Sequence, residues 1–145
     1  MLVSAESIKV GHPDMVVDQI SANIIADILD KERKIGLNVY NMPHCGLEVF
    51  LGKAFCLVGG EVTTRVSIDV ERIVRETVLS LGYNDAAVGL NGNNMGILNA
   101  IIPQSPDINI GTRAHLGAHK VIGAGDQGIR YGSANNEPPA RVPRP

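Results

Sequence analysis

The chain has 145 residues, 44% of them hydrophobic and only 3% aromatic, with a formal net charge of −2. That length suffices for one ordinary domain around a single core, while the charge balance and scarce aromatics offer no basic or stacking footprint for nucleic acid. No apolar run approaches the roughly 18 residues that span a bilayer, and the start MLVSAESIKVGHPD has neither the basic opening nor the apolar run of a signal peptide, so a cytoplasmic protein with no membrane or nucleic-acid partner is expected.

From Met15, the residues Val16, Ile20, Ile24, Ile28 and Leu29 recur at helical spacing as far as Asp30, which predicts an amphipathic helix over DMVVDQISANIIADILD. Asp14 stands where an N-cap belongs. DKERK closes the helix, and NVYNMPHCG carries the Asn, Pro and Gly of a turn. Residues 47–69 are rich in β-branched and apolar side chains and read as two strands in a hairpin turning at Gly52. Gly59 and Gly60 interrupt the second strand, where glycine marks a bulge or a close approach by ligand or backbone. Cys45 and Cys56 form neither a disulfide framework nor a zinc-spaced pair, so reduced thiols are expected.

A second helix is capped by Asp69, with Val70, Ile73, Val74, Thr77, Val78 and Leu81 on one face and Gly82 as its left-handed stop. Beyond Gly82 one apolar segment, 96–102, stands among turn residues with no sustained period. Loops longer than about 12 to 15 residues tend to be functional lids or disordered segments. The final stretch ANNEPPARVPRP is proline-rich and basic and reads as an unpacked tail. The organisation expected is a domain over 1–102, a mobile loop and glycine loop over 103–132, and a tail over 133–145.

GAGDQG, residues 123–128, matches the dinucleotide pattern GxGxxG. That fingerprint needs a preceding strand, a helix opening on its glycines and an acid about 20 positions on. His119 to Ile122 offer a short strand, but IRYGSANNEPP holds two prolines and cannot be a stable helix, and the one acid that follows is Glu137. The dinucleotide reading therefore fails on context. What remains is a glycine loop presenting Asp126 and Gln127.

Four stretches carry a different signal: AES with GHPD and DQIS (5–21), LVGGEVTT (57–64), QSPDIN (104–109) and GAGDQG. Together and in this order they resemble the N-terminal part of S-adenosylmethionine synthetase, also called methionine adenosyltransferase, over nearly the whole chain. The resemblance implies an α+β fold in which mixed β-sheets carry helices on one face and pack their flat faces against a second subunit. It also implies a transferase that joins methionine to ATP, the sulfur attacking the ribose C5′ and displacing triphosphate. The leaving group is a polyanion, so Mg²⁺, K⁺ and basic side chains would neutralise it. ATP and methionine are the implied substrates, and a homodimer or a complex with a complementing synthetase subunit is the implied assembly.

Residue by residue, His12 matches the catalytic histidine on the ATP phosphates, and Glu6 lies on the adenosine side of the same site. Asp14 matches a Mg²⁺ ligand, a hard carboxylate oxygen being suited to it. Glu48, counted back from GGE, falls at the glutamate that holds K⁺. Glu61 and Gln104 match the two methionine-binding residues, and Asp126 a substrate-contacting aspartate also assigned to methionine. QSPDIN opens the family's mobile loop, which accounts for the aperiodic stretch from Gln104 to Lys120. His115 and His119, four apart, offer a two-ligand metal clip, against which Gly117 and the lack of a third ligand favour a loop.

Three features depart from the pattern. Met15 stands where the family has lysine, Ala22 and Asn23 follow DQIS in place of Asp-Ala, and extra residues surround NVYNMPH. Family members also continue well beyond this length, into the lysines, arginine and aspartates that grip the triphosphate. The expectation is a chain incomplete as a catalyst by itself. The alternatives are a non-catalytic regulatory or relic subunit pairing with a full-length synthetase, and a free-standing module binding ATP or methionine.

Overall fold

A computed structural model describes residues 7–38 and 40–113. Helix α1, Pro13–Lys34, opens with proline at its first position, where the fixed φ suits a helix and the missing N–H is no loss. Its cap is His12, whose Nδ1 accepts from the Asp14 N–H at 3.1 Å. Asp14 is thus in the first turn rather than at the cap, two positions along from the expected arrangement, with its charge still favourable to the helix dipole. The helix also runs through DKERK to Lys34, because the stripe Val16, Ile20, Ile24, Ile28 continues by one more step of four to a buried Glu32.

Strands β1, His44–Gly52, and β2, Phe55–Thr63, form the expected antiparallel hairpin. Within β2, Gly60 has φ +107°, and a Cβ there would lie 2.0 Å from the Gly46 carbonyl oxygen. Only glycine fits that close approach of the two backbones. Gly59 is different, since a Cβ there would meet Ala100 at an ordinary 3.8 Å. Helix α2, Val70–Ser80, carries the expected Asp69 cap, and Gly82 takes the left-handed conformation beyond its end. Two short strands, β3 (Asn84–Asp85) and β4 (Leu90–Asn91), pair with each other around a 3₁₀ turn. Strand β5, Gly96–Ile102, then adds to β2 in parallel.

The resulting three-stranded mixed sheet has the order β1-β2-β5. Strand alternation divides it into two faces. Cys56, Val58 and Val62, with Cys45, Leu47, Val49, Leu51, Ile97 and Ile101, pack under the buried stripes of α1 and α2. The other face carries Glu48, Phe50, Phe55, Leu98 and Ile102, all exposed. The fold is α+β, with both long helices on one side of the sheet. The first part of the expected loop is regular: Pro106–Thr112 forms a short helix, α3, opened by proline as α1 is.

Candidate functional site

His12 and Asp14, the residues expected on the ATP phosphates and on Mg²⁺, come together at the start of α1. With Nδ1 accepting from the Asp14 N–H, a neutral His12 ring carries its proton on Nε2, the nitrogen left to donate outward. The Asp14 carboxylate lies 3.8 Å from the same ring and is largely exposed. Just upstream, the Tyr83 hydroxyl donates to the Gly11 carbonyl and fixes the approach to the helix.

A second cluster forms where the parallel strands β2 and β5 end. Glu61 sits opposite Gly46 on β1 and Ile102 on β5, half-buried on the face turned away from the core. A charge in this strand is therefore no guest of the core. Two residues on and on the same face, the Thr63 hydroxyl bonds Gln104 Oε1 at 2.9 Å, tying the residue after Pro103 back to β2. Glu48, opposite Gly59, shares that face one diagonal step from Glu61, a separation of about 7–8 Å between backbone positions. His44 pairs with Thr63 across the ladder. Burial, joined by the nearby Arg113 guanidinium, holds its imidazole below the ordinary value. Arg113 itself donates to the Asn109 side chain and to the Tyr40 carbonyl.

The backbone leaving β2 is anchored from the helix layer. Glu32 is fully buried and accepts from the Thr64 hydroxyl at 2.7 Å, the Arg65 N–H at 2.7 Å, and both Nε and Nη2 of Arg65. Burial alone would raise its carboxyl, but the Arg65 N–H, the Thr64 hydroxyl and the Arg65 guanidinium outweigh it, and the group lies below its ordinary value. This clamp sits three residues from Glu61. Glu32 is not among the residues singled out from the sequence, which places the helix end at DKERK; the signal that points to it is the four-residue step on from Ile28, and a carboxylate at a buried position requires a partner.

The two clusters do not meet within one chain. The start of α1 is tied through Tyr83, Gly92, Gly89 and Ala54 to the hairpin end of the sheet, whereas its last turns hold Thr64 and Arg65 at the far end of β2. Twenty-two residues of α1 separate those ends, about 33 Å at 1.5 Å per residue. So His12 and Asp14 stand at one end, Glu61 and Gln104 toward the other, and Glu48 at the middle of the bare sheet face. Glu6, Asp126, His115, His119 and the glycine loop lie outside the described residues. An open groove of about 310 Å³ between α1 and α2 is lined by Asn23, Asp27, Arg72, Glu76, Thr77 and Ser80. Its charges satisfy one another, Arg72 pairing with Asp27 and Glu76, and Asp27 also with Lys31.

Among the described residues, no three His, Cys, Asp or Glu side chains converge as a metal site. Asp14 and Glu48 each offer one exposed carboxylate, which does not make a complete Mg²⁺ or K⁺ site. Nor is any described helix long and apolar enough to cross a membrane.

A mixed sheet covered by helices on one side, with carboxylates on its bare side and a polar cluster at its strand ends, defines an α+β domain. Residues 1–106 match the family model described as S-adenosylmethionine synthetase, N-terminal domain, and the chain belongs to that family. It is 40% identical to the S-adenosylmethionine synthase of Petrotoga mobilis, with all of this chain aligned to 37% of that protein. The synthases of Pseudothermotoga lettingae and Syntrophobacter fumaroxidans are each 38% identical over 99% of this chain, covering 37% and 35% of their own lengths. The chain thus spans little more than a third of the length of these curated relatives.

Proposed function

We propose that this chain supplies the methionine-binding part of an S-adenosylmethionine synthetase and acts in forming S-adenosylmethionine from ATP and methionine once the remainder of the enzyme is present. The cluster of Glu61, Thr63 and Gln104 where β2 and β5 end carries this reading. Glu61 offers a charge for an α-ammonium group, and Gln104, with its carbonyl engaged by Thr63, has its amide N–H groups left for a carboxylate. Asp126 would join them from the glycine loop.

His12 would donate from Nε2 toward the ATP phosphates, with Glu6 on the adenosine side. Asp14 would give one ligand to Mg²⁺ and Glu48 one to K⁺, each ion completed by groups beyond the described residues. Because the two clusters stand at opposite ends of α1, a site joining ATP to methionine draws on a second subunit, either a homodimer partner or a complementing synthetase. The bare face with Phe50 and Leu98 suits that pairing. Within this scheme 1–102 is the synthetase N-terminal domain, 103–132 the active-site loop with the glycine loop, and 133–145 a tail, in a cytoplasmic enzyme. A non-catalytic subunit that pairs with a full-length synthetase draws its support from Met15, which puts no cation beside His12.

Calorimetric titration of methionine into the intact chain tests the primary reading. Binding that falls at least tenfold in Glu61→Gln is expected, charged hydrogen bonds contributing about 1.5–3 kcal/mol. Equal binding by the intact chain and the variant would remove Glu61 from the site.

A further inference from the structure

The polar cluster at the end of β2 contains a cation that neither its sequence motif nor the pairing above uses. Arg113, just past α3, is half-buried. Among the described residues it has no carboxylate partner: its bonds go to the Asn109 side chain and the Tyr40 carbonyl, whereas Arg33, Arg65, Arg72 and Arg75 all pair with acids. These two neutral acceptors orient the guanidinium without neutralising it. Its field reaches His44, and His44 stands directly opposite Thr63, the residue bonded to Gln104. Arg113, His44, Thr63 and Gln104 therefore share one end of the sheet with Glu61, two positions along β2. Ligand sites in sheets with parallel strands favour the carboxyl ends of those strands, and this cluster gathers at the carboxyl ends of the parallel pair β2 and β5.

An α-amino acid carries an ammonium and a carboxylate on one carbon, so a surface that selects it needs an anion and a cation close together. Glu61 provides the first. We infer that Arg113 provides the second, and that it is a specificity-determining residue that binds the α-carboxylate of the amino-acid substrate. The inference rests on the methionine-binding reading and extends it to a residue outside the matched motifs. A planar guanidinium meets a carboxylate with two parallel N–H bonds, which a lysine cannot reproduce, and a neutral His44 leaves the local positive charge to Arg113.

The test compares methionine with methioninol, which keeps the ammonium and the thioether but lacks the carboxylate, by calorimetric titration of the intact chain and of Arg113→Gln and Arg113→Lys. The intact chain should prefer methionine by about tenfold to a hundredfold, the range of one charged hydrogen-bonded contact. Arg113→Gln should lower the affinity for methionine about tenfold or more, leave methioninol unchanged and reduce the ratio to the few-fold that the neutral Gln104 amide supplies. Arg113→Lys should fall between. Inorganic tripolyphosphate is the third probe. Tripolyphosphate binding that disappears in Arg113→Gln while methionine binding stays intact overturns the inference and assigns the cation to phosphate. A methionine-to-methioninol ratio unchanged in Arg113→Gln overturns it while leaving the role of Glu61 standing. No methionine binding by the intact chain, measured where its melting curve shows it folded, overturns both.

Discussion

Replacing Glu32 by alanine tests the clamp that holds the strand end carrying Glu61. The carboxylate is fully buried and accepts from the Thr64 hydroxyl, the Arg65 N–H and the Arg65 guanidinium. Hydrogen bonds to charged groups each contribute about 1.5–3 kcal/mol, and a buried donor left without a partner costs about 1–3 kcal/mol. The guanidinium adds little, because Arg65 is 41% exposed and recovers water when the acid is removed. The loss is therefore chiefly that of the backbone N–H and hydroxyl bonds, about 3 kcal/mol, or on the order of 10 °C in melting temperature for a domain of this size. Arg65→Ala should cost about 1 kcal/mol, since the backbone N–H of residue 65 and Thr64 still bind the acid. Urea denaturation followed by circular dichroism measures both. A loss below about 1 kcal/mol in Glu32→Ala, or a larger loss in Arg65→Ala, would refute the reasoning. The acid limb gives a second check. Because the folded carboxyl lies below its unfolded value of 4.5, its stabilisation is fully present above that value and is lost as pH falls through the folded pKa. Glu32→Ala should flatten that limb.

Other expectations follow from single positions. Gly60→Ala should cost more than about 3 kcal/mol or prevent folding, because its Cβ would lie 2.0 Å from the Gly46 oxygen at a positive φ, whereas Gly59→Ala should stay within about 1 kcal/mol; the two urea curves decide it. Burial pushes the Cys56 thiol up to about 11, so a disulfide reagent at pH 8 should modify it at the rate of unfolding, while the half-buried Cys45, also pushed up, should react in the folded chain but more slowly than a peptide thiol. In Arg113→Gln, the His44 imidazole should titrate at higher pH by NMR, since one of the two causes holding it down is removed. Its depressed folded pKa means that the intact chain loses a little stability as pH drops below the ordinary histidine value of 6.5, and the variant should lose less.

Local pattern made much of this legible. The four-residue stripe of α1, the Asp69 cap, the left-handed Gly82 and the hairpin of β1 and β2 are all encoded by neighbours in the chain, and the structure contains them. The misplaced cap and the early helix end have physical reasons. An imidazole replaced the usual small oxygen acceptor at the cap, and DKERK looked like a solvated terminus because the partner that buries Glu32 is 33 positions away. The apolar segment at 96–102 was visible, but its parallel union with β2 is a long-range pairing that no local period announces. Helix α3 was hidden because SPDINIGT has no apolar stripe.

The candidate site divides in the same way. Glu61, Gln104, His12 and Asp14 stand in motifs that can be read letter by letter, but their grouping into two clusters at opposite ends of α1 is a property of the fold. Arg113 and His44 lie in no motif. Register and the path of the chain after β5 bring them to the strand ends.

The most direct test is product formation from ATP, methionine, Mg²⁺ and K⁺, followed as S-adenosylmethionine and triphosphate, with the chain alone and with a fragment supplying the remaining part of a relative such as the Petrotoga mobilis synthase. The expected result is no turnover by the chain alone, turnover with the fragment, and its loss when Glu61→Gln is used. Turnover by the chain alone, or none with a folded and associated fragment, would contradict the proposal that this chain is the methionine-binding part of a larger catalyst.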